Sequence, residues 1–221
     1  MLDQKGFDLW ADGYDKAVGL SDEDGSYPFA GYRAVLNTIY QTILSKPGAA
    51  VLDIGFGTGT LTARLYEKGF QIWGQDFSEK MLSISRGKMP LAHLYRGDFS
   101  EGLAADLLEN RYDFIVATYS LHHLTDAEKP AFLRLLLSLL RPGGRILIGD
   151  VAFTDARELE ACREKAGDAW DDEEYYVVFD AVRADFPGAA FEKLSPCAGL
   201  LTLGGDASSI SAPRPAERDN A

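Results

Sequence analysis

Long hydrophobic runs are missing from this 221-residue sequence: no apolar stretch approaches the roughly 20 residues that span a bilayer. Its opening residues, MLDQKGFDLWADGYD, are acidic where an export signal would be basic and then apolar, so a cytoplasmic location is expected. Basic charge is scarce: 22 Lys and Arg face 34 Asp and Glu, a formal net charge of −12. Affinity for nucleic acid or an anionic membrane rests on cations meeting phosphates. No Lys/Arg cluster supplies that footprint, and a small or neutral partner fits better. Cysteine is nearly absent. Cys162 and Cys197 stand far apart in the sequence and near no histidine, which excludes a disulfide scaffold and predicts two reduced, structural thiols. Internal repeats are lacking too. What is present is an ordinary globular composition, 46% hydrophobic and 25% charged, enough for one core in one domain.

Residues 1–45 read as helical. In FAGYRAVLNTIYQTILSK, Tyr32, Val35, Leu36, Ile39, Tyr40, Ile43 and Leu44 recur at helical spacing, and Lys46-Pro47-Gly48 ends the pattern. Short apolar runs then alternate with helical patterns: AVLDI, FQIWGQ, AHLYRG, FIVATY and GRILIGDV. That rhythm predicts a mostly parallel sheet with helices on both faces. Residues 155–187 read as a helical insertion, with Asp171-Asp172-Glu173-Glu174 as the solvated acidic start of a helix carrying Tyr175, Tyr176, Phe179, Val182 and Phe186. AAFEKLS and GLLTLG, joined at Pro196, predict an antiparallel hairpin. The expected plan is a helical cap over 1–45, an α/β domain over 46–205 and a disordered tail over 206–221, whose one large apolar residue is Ile210.

The most informative segment is VLDIGFGTGT, residues 51–60. A buried strand runs into Gly55, Gly57 and Gly59, and glycines at a strand-to-helix turn let the backbone approach a ligand. Asp76 ends the next strand, 21 residues after Gly55, where an acid can accept both ribose hydroxyls of an adenosyl ligand. The dinucleotide fingerprint needs glycine at position 60, and this chain has Thr60. A pyrophosphate would also be repelled by Asp53, whereas a ligand carrying an ammonium and a sulfonium would not. Asp98, in YRGDFS, can accept from an adenine amine, with Phe77 and Phe99 as apolar walls.

These residues resemble the class I S-adenosylmethionine-dependent methyltransferases. VLDIGFGTGT, GQDFS, RGDF, YDFIVATYSLHHL and LLRPGGRILIGD follow that family's motif order over residues 7–155. WADGYD with YSLHHLTDAEK is similar to its small bacterial YrrT-type members. The resemblance implies a Rossmann-like, mostly parallel seven-stranded sheet with an antiparallel last hairpin, and S-adenosylmethionine as the cofactor. It implies a cofactor-binding set of Tyr14, Asp53, Gly55, Phe56, Gly57, Asp76, Phe77, Asp98, Phe99 and Thr118, with Tyr14 closing over the ligand and Trp10 nearby.

Methyl transfer needs aligned partners and excluded water, and a base only for a tightly held proton. His123 and His122, with Tyr119 as runner-up, follow the fourth strand and are the catalytic candidates; Ser120 lies among them. Each histidine can instead pack or cap the next helix. His93 and Tyr32 read as structural. Asp150 ends the fifth strand with no second acid beside it, so no metal is expected. The expected acceptor is a small molecule. A non-catalytic S-adenosylmethionine binder and a nicotinamide-dependent oxidoreductase remain as alternatives, and nucleic-acid methylation is disfavoured by the charge.

Overall fold

The computed structural model describes residues 26–205. Phe7, Trp10 and Tyr14, most of the expected cap and the expected tail lie outside the described residues. The elements run α1 (Tyr32–Leu44), β1 (Ala50–Ile54), α2 (Thr62–Glu67), β2 (Gln71–Asp76), α3 (Glu79–Lys88), β3 (His93–Arg96), α4 (Ala105–Glu109), β4 (Tyr112–Thr118), a 3-10 turn (Leu121–His123), α5 (Lys129–Ser138), β5 (Leu140–Phe153), α6 (Ala156–Ala166), β6 (Val177–Val178), α7 (Phe179–Asp185), β7 (Ala190–Lys193) and β8 (Ala198–Gly204).

The main sheet has the order β3-β2-β1-β4-β5-β8-β7. β1 to β5 are parallel, and β8 runs antiparallel to both β5 and β7. The fold is thus the Rossmann-like α/β sheet with an antiparallel C-terminal hairpin. The strand order reverses between β1 and β4, the place where an open α/β sheet leaves a crevice beyond its carboxyl ends. β1 is buried along its whole length because both faces are covered. Val51 joins a core with Val35, Ile39 and Ile43 of α1, Leu65 of α2 and Leu82 of α3. Ala50, Leu52 and Ile54 join the opposite core with Leu107 of α4 and Phe132, Leu133 and Leu136 of α5. The two-residue period of a strand makes this division.

α1 docks on β5 through one close approach. A Cβ placed on Gly149 would come within 2.1 Å of Val35 Cγ1, far inside van der Waals contact. Gly149→Ala is therefore expected to cost about 1–3 kcal/mol of stability through overpacking. Thermal unfolding should show that loss, and the loss should shrink when Val35→Ala is made in the same chain.

The region 155–187 departs from the expected helical insertion. Helix occupies 156–166 and 179–185, and between them Val177 and Val178 pair in parallel with Ala152 and Phe153 at the end of β5. The acidic run is not a helix start; the acid in the first turn of α7 is Asp180. Contacts distant in sequence hold this segment extended. Tyr175 N–H donates to the His122 carbonyl at 2.9 Å, Lys129 Nζ donates to the Tyr175 carbonyl at 2.5 Å, and Tyr176 is buried. β6 adds a strand beside the expected seven. The cysteines, far apart in the chain, are neighbours in space. The Cys162 and Cys197 side chains hydrogen-bond to each other, and burial pushes the Cys197 thiol up to about 11. Both are free thiols. No helix among the described residues is long and apolar enough to cross a membrane.

Candidate active site

The carboxyl ends of β1, β2 and β4 enclose a cleft lined by both polar and apolar side chains. The loop after β1 forms its floor. Gly55, Gly57 and Gly59 all have positive φ, at 69°, 55° and 72°, which favours glycine at each turn. At Gly55 space decides as well: a Cβ would lie 2.6 Å from Ser120 Cβ.

Asp76 fixes this loop. Its Oδ2 accepts from Gly57 N–H at 2.8 Å and its Oδ1 from Ser78 N–H at 2.9 Å, which ties the glycine loop to the start of α3. Ser78 caps that helix by accepting from Met81 N–H. A carboxylate at this position has the acceptor chemistry that ligand hydroxyls require.

Asp53 is fully buried, and its Oδ1 has no hydrogen-bond partner among the described residues. Burial pushes its pKa up to about 7; the Thr62 hydroxyl works against the shift, and the Asp76 carboxylate adds to it. A buried carboxylate oxygen with no partner is costly. Here it borders the cleft, where a ligand ammonium would satisfy it.

Asp53, Gly55, Phe56, Gly57, Asp76, Phe77, Phe99 and Thr118 of the expected cofactor set line the cleft together. Tyr14 lies outside the described residues. Asp98 is exposed and is not part of the lining; its Oδ1 accepts from the backbone N–H and hydroxyl of Ser100 at 2.8 and 2.6 Å. Thr58, Thr60, Leu61, Met81, Tyr32 and Leu36 also line the cleft. Tyr32 is thus a wall of the site rather than plain core, its ring 5.1 Å from that of Tyr119. Sequence spacing marked it as part of a helix face, and only the docking of α1 tells which way that face looks.

The three catalytic candidates separate. Tyr119 and His123 line the cleft, and His122 does not. Tyr119 has φ 51°, the only positive value at a non-glycine position among the described residues, a strained conformation of the kind held at functional sites. Its N–H donates to the Gly149 carbonyl at 2.8 Å. His122 is packed behind His123, ring centroids 4.3 Å apart. Its Nδ1 lies 2.6 Å from Asp150 Oδ1, and its Nε2 lies 3.5 Å from Glu174 Oε1. Burial pulls the His122 pKa down, but Asp150, and after it Glu174, outweigh this, so the net shift is upward. Burial, helped by His122, pulls His123 down to about 4, so its ring is neutral at neutral pH. Glu174 was missed by sequence reasoning because it stands in an acidic run that reads as solvated. Its burial raises its pKa against the pull of His122, and its Oε2 accepts from the Tyr176 hydroxyl at 2.8 Å. A second cleft is lined by Leu137, Phe186, Ala189, Leu203 and Gly205; among the described residues, none of the expected site residues lines it.

Residues 51–144 match the model of a methyltransferase domain. An uncharacterized methyltransferase of Geobacillus sp. (strain WCH70) is 37% identical over 193 residues, covering 84% of this chain and 87% of that protein. One from Geobacillus kaustophilus is also 37% identical over 193 residues, with 84% and 86% covered. Among solved structures, the DhpI–SAH complex superposes with a TM-score of 0.67 at 16% identity, covering 91% of this chain and 94% of that one. Magnesium protoporphyrin IX methyltransferase from Synechocystis with bound SAH gives 0.61 at 20% identity, with 79% and 83% covered. With the glycine loop, the strand order and these similarities in hand, the chain belongs to the class I S-adenosylmethionine-dependent methyltransferases.

Proposed function

We propose that this protein methylates a small-molecule acceptor by in-line displacement in the cleft above β1 and β4. S-adenosylmethionine supplies a methyl carbon activated by positive sulfur; the acceptor's lone pair forms the new bond while the carbon–sulfur pair leaves with sulfur as a neutral thioether. The observation that carries this reading is the buried, unpartnered Asp53 oxygen at the edge of the cleft, which suits the cofactor's ammonium. In this reading the Asp76 carboxylate takes the ribose hydroxyls, and Phe77 and Phe99 flank the adenine. Asp98 reaches the adenine amine from the rim, and the Gly55–Gly57 backbone approaches the methionine portion. Tyr119 and His123 stand on the acceptor side, where they orient the acceptor atom and exclude water. His122 acts through His123 as a positioning residue. The 155–187 region, with Tyr176 and Glu174, shapes the acceptor end. A net charge of −12 disfavours a polyanionic substrate.

Transfer of labelled methyl from S-adenosylmethionine to a bacterial metabolite extract tests this. Label should appear in the low-mass fraction; label confined to protein or nucleic acid, or none at all, would contradict it. Once an acceptor is in hand, His123→Ala should lower turnover about 10- to 100-fold, the usual scale for a lost positioning contact. S-adenosylhomocysteine affinity should stay near that of the wild type. Titration calorimetry beside initial rates separates the two effects.

A further inference from the structure

Next to the cleft, reaching it through His123, lies a cluster that methyl transfer as such does not require. His122, His123 and Glu174 each offer one donor atom, and the three atoms lie within 4.8 Å of one another. They come from two segments some fifty residues apart in the chain: the 3-10 turn after β4 and the extended stretch before β6.

The distances fit co-ligands. His122 Nε2 and Glu174 Oε1 are 3.5 Å apart, longer than an ordinary N–H···O hydrogen bond. Two donors bound to one zinc-sized ion at about 2.0–2.1 Å stand about 3.3 Å apart at a tetrahedral angle. Both groups are oriented from behind. Asp150 Oδ1 holds His122 Nδ1 at 2.6 Å, its Oδ2 accepts from the His122 backbone N–H at 3.3 Å, and the Tyr176 hydroxyl donates to Glu174 Oε2 at 2.8 Å. A carboxylate behind a histidine is the usual support of a metal-bound imidazole, fixing its tautomer and aim. Electrostatics agree: two carboxylates, Asp150 and Glu174, surround the site. Lys129, whose positive charge acts on His122, is drawn off to Asp126 and the Tyr175 carbonyl. His123 also lines the cleft, so an ion here would border the acceptor's space.

We propose that His122 Nε2, His123 and Glu174 form a three-residue site for a zinc-like divalent cation, its remaining position open to the methyl acceptor. Two imidazoles and one carboxylate with an open position make a donor set suited to such an ion. The acceptor class that follows is a thiol or hydroxyl, which binds as its anion after releasing its proton to solvent and then attacks the methyl carbon. This deepens the proposed function and rests on it.

The test uses cobalt(II) as probe on the chelator-treated full chain. One cobalt per chain with the intense visible bands of a tetrahedral site, displaced by zinc, is expected. Glu174→Gln and His123→Ala should each weaken binding at least about 100-fold, and Asp150→Asn, one shell further out, about 10- to 100-fold. S-adenosylhomocysteine binding, read on the same samples by thermal shift, should be the same with and without cobalt. Absence of cobalt bands while S-adenosylhomocysteine still binds overturns the metal site alone. So does cobalt binding that Glu174→Gln and His123→Ala leave unchanged. Loss of S-adenosylhomocysteine binding in the wild type would overturn the underlying reading instead.

Discussion

Asp76→Ala should lower S-adenosylhomocysteine affinity about 100- to 10,000-fold. Two ribose hydroxyls donating to a carboxylate contribute roughly 1.5–3 kcal/mol each, and each 1.4 kcal/mol is about tenfold in affinity. The same carboxylate also holds Gly57 N–H and Ser78 N–H, so its removal loosens the loop that the cofactor must meet. Asp98→Ala should cost less, because Asp98 is exposed, lies outside the cleft lining and would offer one acceptor to one amine. Calorimetric titration of both variants decides the matter. Equal, negligible losses would remove Asp76 from the site.

Cofactor affinity in the wild type should rise with pH and level off above about 7. Free Asp53 titrates at about 7, chiefly because it is buried, and the cofactor's ammonium favours the ionised form. Below that pH a proton must leave before the ion pair forms, which costs up to about tenfold in affinity per pH unit. Asp53→Asn should bind more weakly at pH 8 and show a flat profile through the same window. The sign for stability is opposite. The folded-state pKa lies above the unfolded one, so between about pH 4 and 7 the unfolded chain releases a proton that the fold retains. Asp53 therefore takes stability away as pH rises through that range. Ligand at 100 times its dissociation constant should return about 2.7 kcal/mol. Calorimetry from pH 5.5 to 8.5 with thermal unfolding of the unliganded protein checks both signs, and a wild-type affinity independent of pH would contradict the assignment.

The parts of this fold that could be read from sequence are those whose residue types have one physical use. Glycines at 55, 57 and 59 after a five-residue, mostly apolar strand fit a tight strand-to-helix turn and little else, and the loop has that form. Most of the alternating strands and helices up to residue 153 follow from periodicity; the short helix α4 (Ala105–Glu109) lies in 99–111, a stretch with no regular pattern. The reading failed where long-range contacts overrule local pattern. Tyr175 and Tyr176 look helical, yet pairing with β5, a hydrogen bond from Tyr175 N–H to the His122 carbonyl and one from Lys129 to the Tyr175 carbonyl draw Tyr175–Val178 out into extended chain. Glu174 belongs to an acidic run that is exposed at Asp172 and Glu173 and partly buried at Asp171 and Glu174. Tyr32 carries the same apolar signature whether it faces core or cleft. Asp150 has no acid beside it in sequence, and its neighbours His122 and Glu174 arrive through the fold.

Amide hydrogen exchange with and without S-adenosylhomocysteine tests the central claim most directly, because it reports where the cofactor sits. Added protection should concentrate in residues 53–61, 76–81 and 118–123, the segments that enclose the cleft. Protection confined instead to 185–189 and 203–205, around the second cleft, would contradict the account.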